Sequence, residues 1–498
     1  MKRSKFSLSN YKLFSCDMGE LIPCGLVEVL PGDTIQAATS ALVRCAPLLT
    51  PPMHPVNVAI HHWFVPHRIV WDDFEDFITG GPDGEDDSVF PTIQFGGGTG
   101  AAVGSLADYF GVTPGVNNLV VSALPFRGYA LIWNQWYRDQ DLQSELPLSR
   151  ASGADSTTSV ALQHGAWEKD YFTSARPFEQ KGPAITIPLG DTAPVELVPH
   201  TTNTNPNLMR YATTGALAAA NSQFDTPNDA TGQLKRQVSN ERLVVDPNGR
   251  LQTDLSGASA ITINALREAF ALQRFAEARA RYGSRYTEYL RYLSVRSSDA
   301  RLQRPEYLGG GKNVIQFSEV LQTAEGTNPV GELRGHGISS VRSNRYRRFF
   351  EEHGYVFTFM VCRPKTIYAQ GLARHWNRRT REDFWQRELE HIGQQEILYK
   401  EIYAGHTTPE GTFGWQDRYD EYRRQESSIG GEFRSSILND WHFARIFGSD
   451  PALNADFVKC VPPERPFAST ENDVLYIMAR HSIQARRLVS KMGNSFIY

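Results

Sequence analysis

No stretch of this 498-residue chain approaches the roughly 18–20 apolar residues that a membrane span needs. Cysteine is scarce: Cys16, Cys24, Cys45, Cys362 and Cys460 are odd in number, widely spaced and form no CxxC. That excludes a disulfide framework and a zinc-binding pair, and it points to reduced thiols. The opening MKRSKFSLSNYKLFSC is basic but no apolar run follows, so no export signal is expected. Catalytic signatures are missing as well: there is no GxSxG, no HExxH and no cysteine in a nucleophile pattern. YLGGGKNV (307–314) resembles a phosphate loop, but Glu306 stands where its first glycine belongs and Asn313 where a magnesium-binding Ser or Thr is needed. A turn before a strand is the plainer expectation for it.

Metal chemistry is no better supported. His54, His61, His62 and His67 lie close together, yet His61 and His62 are adjacent and point to opposite faces of a strand. The acids of WDDFEDF and PDGEDD lack the alternating ligand spacing of a calcium loop and read as a solvated face. No cofactor is expected, with a structural divalent cation left open. The net charge of −4, from 51 Lys+Arg and 55 Asp+Glu, gives no overall pull toward nucleic acid, so any such contact needs a local patch. Charge is unevenly placed: Asp72 to Asp87 holds eight acids and no base, and no acid follows Asp473.

What is present is β-rich. The length exceeds the roughly 250–300 residues at which one core stops growing, so several domains or one domain with long insertions is expected. Forty glycines and 28 prolines imply many turns and long loops. CGLVEVLPGDTIQAATSALVRCA reads as two strands broken at Pro31-Gly32-Asp33, and PVNVAIHHWFVPHR places Val56, Val58 and Ile60 on one strand face. YVFTFMVC (355–362) is typical of a strand buried on both sides. LYIMARHSIQARR alternates, with Arg480, Ser482, Gln484 and Arg486 on one side, Leu475, Ile477, Ala479, Ile483 and Ala485 on the other, and His481 as a misfit.

Between these ends lie a short helix at Ala130–Arg138, a strand at AITIP (184–188), a polar insertion at 200–260, and a strong helical stretch capped by Asn264. Leu272, Phe275, Arg279, Tyr282, Tyr286, Tyr289 and Leu293 recur there at helical steps, so the tyrosines are expected to be buried with arginines rimming them. Residues 366–450 read as amphipathic helices with aromatic loops. An antiparallel β-sandwich assembled from distant strands fits this order, and a jelly roll is the commonest such design with long loops.

Three features combine base with aromatic. Arg267 to Arg304 holds nine arginines, Arg279 and Arg285 among them, against four acids. VRSNRYRRFF sets Arg342, Arg345, Arg347 and Arg348 around Tyr346, and ARHWNRRTR sets Arg374, Arg378 and Arg379 around Trp376. Such groups suit the phosphates and unpaired bases of single-stranded nucleic acid, and they equally suit protein interfaces. Lys2, Arg3, Lys5 and Lys12 at one end, and Arg480, Arg486, Arg487 and Lys491 at the other, are better DNA-contacting candidates, as basic arms bind phosphate without sequence preference.

CGLVEVLPGDTI, MHPVNVAIHHWFVPHRIVWDDFEDFITGG, RFAEARARYGSRYTEYLRYL and SSDARLQRPEYLGGGKNVIQFSEVLQTA resemble the major capsid protein of Microviridae, most closely its gokushovirus-like branch. The resemblance covers most of 15–185 and 262–498, while 190–260 matches poorly. It implies an eight-stranded antiparallel jelly roll with long helical and irregular insertions, and no catalytic residues. The expected layout is a basic N-terminal arm at 1–22 and one jelly-roll domain over 23–498. Insertions fall at about 71–180, 190–260 and 262–305, and a basic segment at 474–498. The resemblance further implies a T=1 icosahedral shell around circular single-stranded DNA, made in a bacterial host cytoplasm, with 190–260 as a threefold surface protrusion for host contact. Expected partners are further copies of the chain, the genome, a small basic DNA-condensing protein, a minor pilot protein, an internal scaffolding protein and a host surface receptor. A single-strand-binding protein and a β-sandwich carbohydrate-active enzyme are the rival readings.

Overall fold

The computed structural model describes residues 3–96, 98–183, 185, 263–283, 285–326 and 329–491, with the backbone of six short strands between 195 and 253. The chain forms two compact units, Met1–Lys181 with Glu277–Tyr498, and Gly182–Ala276.

The larger unit is built on ten strands: β1 (Ser4–Ser7), β2 (Asn10–Cys16), β3 (Ile22–Val29), β4 (Thr34–Cys45), β5 (Val56–Pro66), β6 (Glu306–Leu321), β7 (Leu333–Arg342), β8 (Tyr346–Phe349), β9 (Gly354–Pro364) and β10 (Leu475–Arg487). Eight of them follow one another in the antiparallel order β1-β10-β4-β7-β6-β5-β9-β3, with β2 also on β10 and β8 also on β4. The sheet curls over at β6, whose Glu306–Ile315 half pairs with β5 and whose Gln316–Leu321 half pairs with β7. Two layers result. Val43 of β4 and Ile477 of β10 share a buried cluster with Val58 of β5 and Met360 of β9. Ile35 and Ile483 share a second one with Phe64 and Val356. This is the antiparallel jelly-roll architecture expected from the strand pattern.

A polar belt separates those two clusters. His481 donates from Nε2 to the Cys24 carbonyl at 3.0 Å, which leaves Nδ1 to accept from the Thr39 hydroxyl at 2.9 Å. His62 sits between Thr358 Oγ1 at 3.0 Å and Ser343 Oγ at 2.9 Å. Every ring nitrogen is satisfied, so these buried histidines carry little penalty while neutral. His481 is therefore a core residue, and the alternation of β10 has no misfit: all its odd positions from Leu475 to Ala485 are buried.

Several expectations change. YLGGGKNV is strand, not turn: a Cβ on Gly310 would sit 2.4 Å from the Ile60 carbonyl, and one on Gly311 2.3 Å from the Arg342 carbonyl. The glycines are needed because backbones cross closely there. The N-terminal segment is not a free arm, since β1 and β2 both pair with β10. The 262–305 helical stretch is two helices, Ile263–Tyr282 and Tyr286–Tyr292, broken at Gly283 with φ +93°. Its tyrosines are exposed, 41–66% for Tyr282, Tyr286, Tyr289 and Tyr292, whereas Ala276 and Ala280 are the buried positions. Small residues allow close packing, and the aromatic stripe faces outward.

Segment 71–180 is largely a second core. Trp71, Leu106, Phe126, Tyr129 and Ile132 pack with Trp63, Phe357 and Phe359 on the outer side of the second layer. The expected helix occupies Leu124–Ile132 and continues as a π-helical turn, Trp133–Tyr137. The acidic 72–87 part is mostly exposed, as are 102–104 and 111–120. Residues 366–450 form short 3-10 turns, a one-turn α-helix at Tyr399–Ile402 and one hairpin, Gln394–Leu398 with Thr412–Asp417, instead of long amphipathic helices. AITIP lies almost wholly outside the described residues. In the smaller unit the polar insertion pairs with itself in nested order: Val195–Leu197 with Leu251–Thr253, Met209–Tyr211 with Leu243–Val245, and Phe224–Asp225 with Lys235–Arg236.

A candidate nucleic-acid interface

The outer side of the first layer gathers residues from both ends of the chain and from the middle. Because odd positions of β10 face the core, its even positions face out, and register carries that parity across the layer. Tyr11 of β2 lies across from Arg480, Arg480 across from Ser40, and Ser40 across from Arg342. Lys5 lies across from Arg486, and Gln484 across from Gln36, which faces Arg347. Tyr476 pairs with Arg44. Arg3 stands over the Phe349 ring at 5.5 Å and donates to the Gly32 carbonyl at 2.9 Å.

Six strands of this layer, β1, β2, β4, β7, β8 and β10, contain no Asp or Glu, and the Gln316–Leu321 half of β6 adds Glu319 at core-facing parity. Lys5, Arg44, Arg342, Arg347, Arg480 and Arg486 are all exposed. Among the described residues none of them has a carboxylate at ion-pair distance. Tyr11 and Leu13 are 74% and 78% exposed beside them. The result is a cation-rich face with aromatic and apolar groups set among the cations, bordered by Glu332, which pairs with Arg334, and by Asp473, which accepts from the Ser15 hydroxyl.

Two terminal candidates are drawn inward. Lys12 occupies a core-facing position of β2 and donates to the carbonyls of Pro23, at 3.1 Å, and Tyr109, so burial lowers its pKa. Arg487, likewise at core parity, pairs with buried Asp33 at 3.0 Å and donates to the Glu28 carbonyl. Lys491 is exposed just beyond β10, and Lys2 lies outside the described residues. Arg345 is exposed on the turn between β7 and β8. Tyr346 is turned into the sandwich, 5.1 Å from the His62 ring, and Arg348 pairs with Glu306 at 3.0 Å.

The remaining clusters are not gathered with this face. Arg374 pairs with Glu401 at 2.9 Å, and Arg378 lies over the Tyr422 ring at 4.4 Å and near Glu421 at 3.6 Å. Arg379 donates to the Trp376 and Arg378 carbonyls, leaving Trp376 64% exposed. Arg279 donates to the Lys181 carbonyl at 2.7 Å, and Arg285 to those of Asn134 at 2.6 Å and Gln135. Arg44, Tyr11 and Tyr476 were missed as candidates. Arg44 was findable, as the lone cation at an outward position of an otherwise uncharged strand.

Neither a nucleophilic thiolate nor a metal centre is found among the described residues. All five cysteines are buried and unpaired, and burial pushes the Cys24, Cys45 and Cys460 thiols up to about 12, far from nucleophilic thiolates. Among the described residues no group of three or more His, Cys, Asp or Glu is placed to hold a metal ion, and no helix is long and apolar enough to cross a membrane.

A jelly roll packed on one outer side, bare and basic on the other, is the form of a viral shell protein. The chain belongs to the family described as "Capsid protein (F protein)", which it matches over residues 1–495. It is 39% identical to capsid protein VP1 of Bdellovibrio phage phiMH2K, over 484 residues that cover 95% of this chain and 90% of that protein. Against capsid protein VP1 of Chlamydia phage 1 the identity is 32%, covering 93% of this chain and 90% of the relative. Against that of Spiroplasma virus 4 it is 33%, covering 92% and 87%. The protein is thus a structural major capsid protein of a small Microviridae-type phage, belongs to the virion, and is not an enzyme.

Proposed function

We propose that the bare face of the first layer is turned to the genome of a gokushovirus-like T=1 icosahedral shell, and that this genome is circular single-stranded DNA. The observation that carries the reading is the complete lack of carboxylates in six neighbouring strands that present Lys5, Arg44, Arg342, Arg347, Arg480 and Arg486. Cations on such a face neutralise phosphates and release condensed counterions. Exposed tyrosines such as Tyr11 and Tyr476 offer stacking surfaces worth roughly 1–3 kcal/mol per unpaired base. Neither interaction reads sequence, which suits a shell that must accept every part of a genome.

A chain of net charge −4 cannot balance a genome alone, so a small basic DNA-condensing protein completes the neutralisation. An internal scaffolding protein and a minor pilot protein join assembly in the host cytoplasm. The nested ribbons of the Gly182–Ala276 unit form the threefold protrusion that meets a host surface receptor; their polar, turn-rich sequence supports a solvent-facing role. Reversing Arg342, Arg347, Arg480 and Arg486 to Glu together tests the genome-facing assignment. Closed shells with little DNA are expected, and shells of normal DNA content would overturn it.

A further inference from the structure

The Tyr286–Tyr292 helix and its flanks present an aromatic face that nothing in the described residues covers. Tyr286 and Tyr289 stack at 6.5 Å between ring centroids, Tyr282 and Tyr292 pack at 5.4 Å, and all four remain at least 41% exposed. Leu293 and Val295 extend the face at 50% and 46%. Large exposed aromatic patches mark interaction sites, and Tyr with Arg is the composition that protein interfaces favour. Beside this patch Arg291, Arg296 and Arg301 are exposed, and among the described residues none has a carboxylate within ion-pair distance.

The same unit carries the complementary surface. The short helix Phe74–Thr79 exposes Phe77 and Ile78 at 39% and 52%. Around them Glu75, Asp76, Asp83, Glu85, Asp86 and Asp87 are exposed, and no Lys or Arg among the described residues pairs with them. Each surface offers apolar area, and the unpaired charges of one are opposite in sign to those of the other. A two-fold contact of the helix with its own copy would set arginine against arginine. Joining the two different surfaces instead gives a heterologous contact, the kind that closes into rings around a symmetry axis.

We propose that the arginine–tyrosine helix of one copy docks on the acidic 72–87 segment of a neighbouring copy within the shell. The proposal rests on the reading of the chain as a shell subunit. Opposite charges steer the encounter and reject the mismatched pairing of like faces, while the tyrosines supply buried area around Phe77 and Ile78.

The test uses the full chain expressed from an otherwise unaltered phage genome, with closed particles counted by sedimentation and negative-stain imaging. R291E/R296E/R301E and E75R/D76R/E85R, each alone, should lower the particle yield by about tenfold or more, the scale of coupled contacts repeated around a shell. The combined six-site variant should recover most of the yield. Unchanged particles from either single-side variant overturn the contact. So does failure of the combined variant to recover while its unassembled subunit melts like wild type, or rescue of the acid-side variant by reversing Arg345 and Arg347 instead. Because all five native cysteines are buried, Tyr289→Cys gives a second readout. Oxidised particles should show no covalent dimers, and their formation would mean a two-fold contact. A wild-type chain that forms no closed particle at all would contradict the shell reading itself.

Discussion

β9 and β10 belong to one sandwich and have similar lengths, 11 and 13 residues, yet they answer to different surroundings. β9 (GYVFTFMVCRP) is apolar without alternation, since its layer is covered by the first layer on one side and by the segment around Trp71 and Phe126 on the other. β10 (LYIMARHSIQARR) alternates, since only its odd positions meet a core. Packing dictates the whole composition of β9 but half of that of β10. The half left undetermined is where cations and aromatics collect without a carboxylate. In this subunit stability and the proposed genome contact are thus divided between two faces.

The largest way to stress that division is acid. Burial holds His54, His61 and His67 down to about 4 and His62 to about 3, against an ordinary 6.5. They stay neutral in the fold, while the unfolded chain takes up their protons below about 6.5. The unfolded state therefore binds more protons between pH 6.5 and 4, and stability falls as pH falls through that window. Glu20, pushed up to about 7, works with the opposite sign, as do Asp17, Asp33, Glu306, Glu401, Asp420, Glu426 and Glu464, whose carboxyls burial also raises, while His164, His442 and His481 are lowered and add to the fall. Thermal melts of the unassembled subunit should fall from pH 6.5 to 4, with the raised carboxyls offsetting part of the histidine effect. A flat profile would mean that these histidines are not as buried as their contacts imply.

Truncation is the next test. Phe359→Ala in β9 should cost about 3–5 kcal/mol, while Met478→Ala on the bare side of β10 should cost under about 0.5 kcal/mol, both from denaturant unfolding. Equal costs would erase the distinction between the two layers. Adjacent arginines sharpen it further. Arg487→Ala leaves Asp33 buried without its counter-charge and should cost on the order of 3 kcal/mol. Arg486→Ala should leave the melt within about 0.5 kcal/mol of wild type and weaken DNA retention instead. The smallest effect is in the salt dependence of single-stranded DNA binding. Its log–log slope should shrink by about 0.7 for each of Arg342, Arg347, Arg480 or Arg486 neutralised, and by nothing for Arg374 or Arg378, which already lie beside Glu401 or Glu421.

The layers were legible in the sequence to different depths. The run in β9, the alternation in β10 and the break at Pro31-Gly32-Asp33 are local patterns, and each names its own strand. What no local pattern contains is the register that sets Lys5 beside Arg486 and Arg342 two strands from Arg480, because it joins residues hundreds of positions apart. In Lys12 and Arg487 charge and parity point to opposite sides of the sheet, and the structure follows parity. The tyrosine stripe shows a different limit. Helical spacing identifies an amphipathic face but not whether the chain itself or a neighbouring copy will cover it. The glycines of β6 misled for a related reason, since close backbone crossings leave the same residue as a turn.

Photo-crosslinking of the packaged DNA in intact particles, with mass spectrometry of the attached peptides, probes the genome-facing assignment most directly. Adducts should concentrate on β1, β2, β7, β8 and β10, at residues such as Tyr11, Tyr476 and Arg342. Adducts confined to the segment that covers the second layer, with the first layer unmarked, would contradict it.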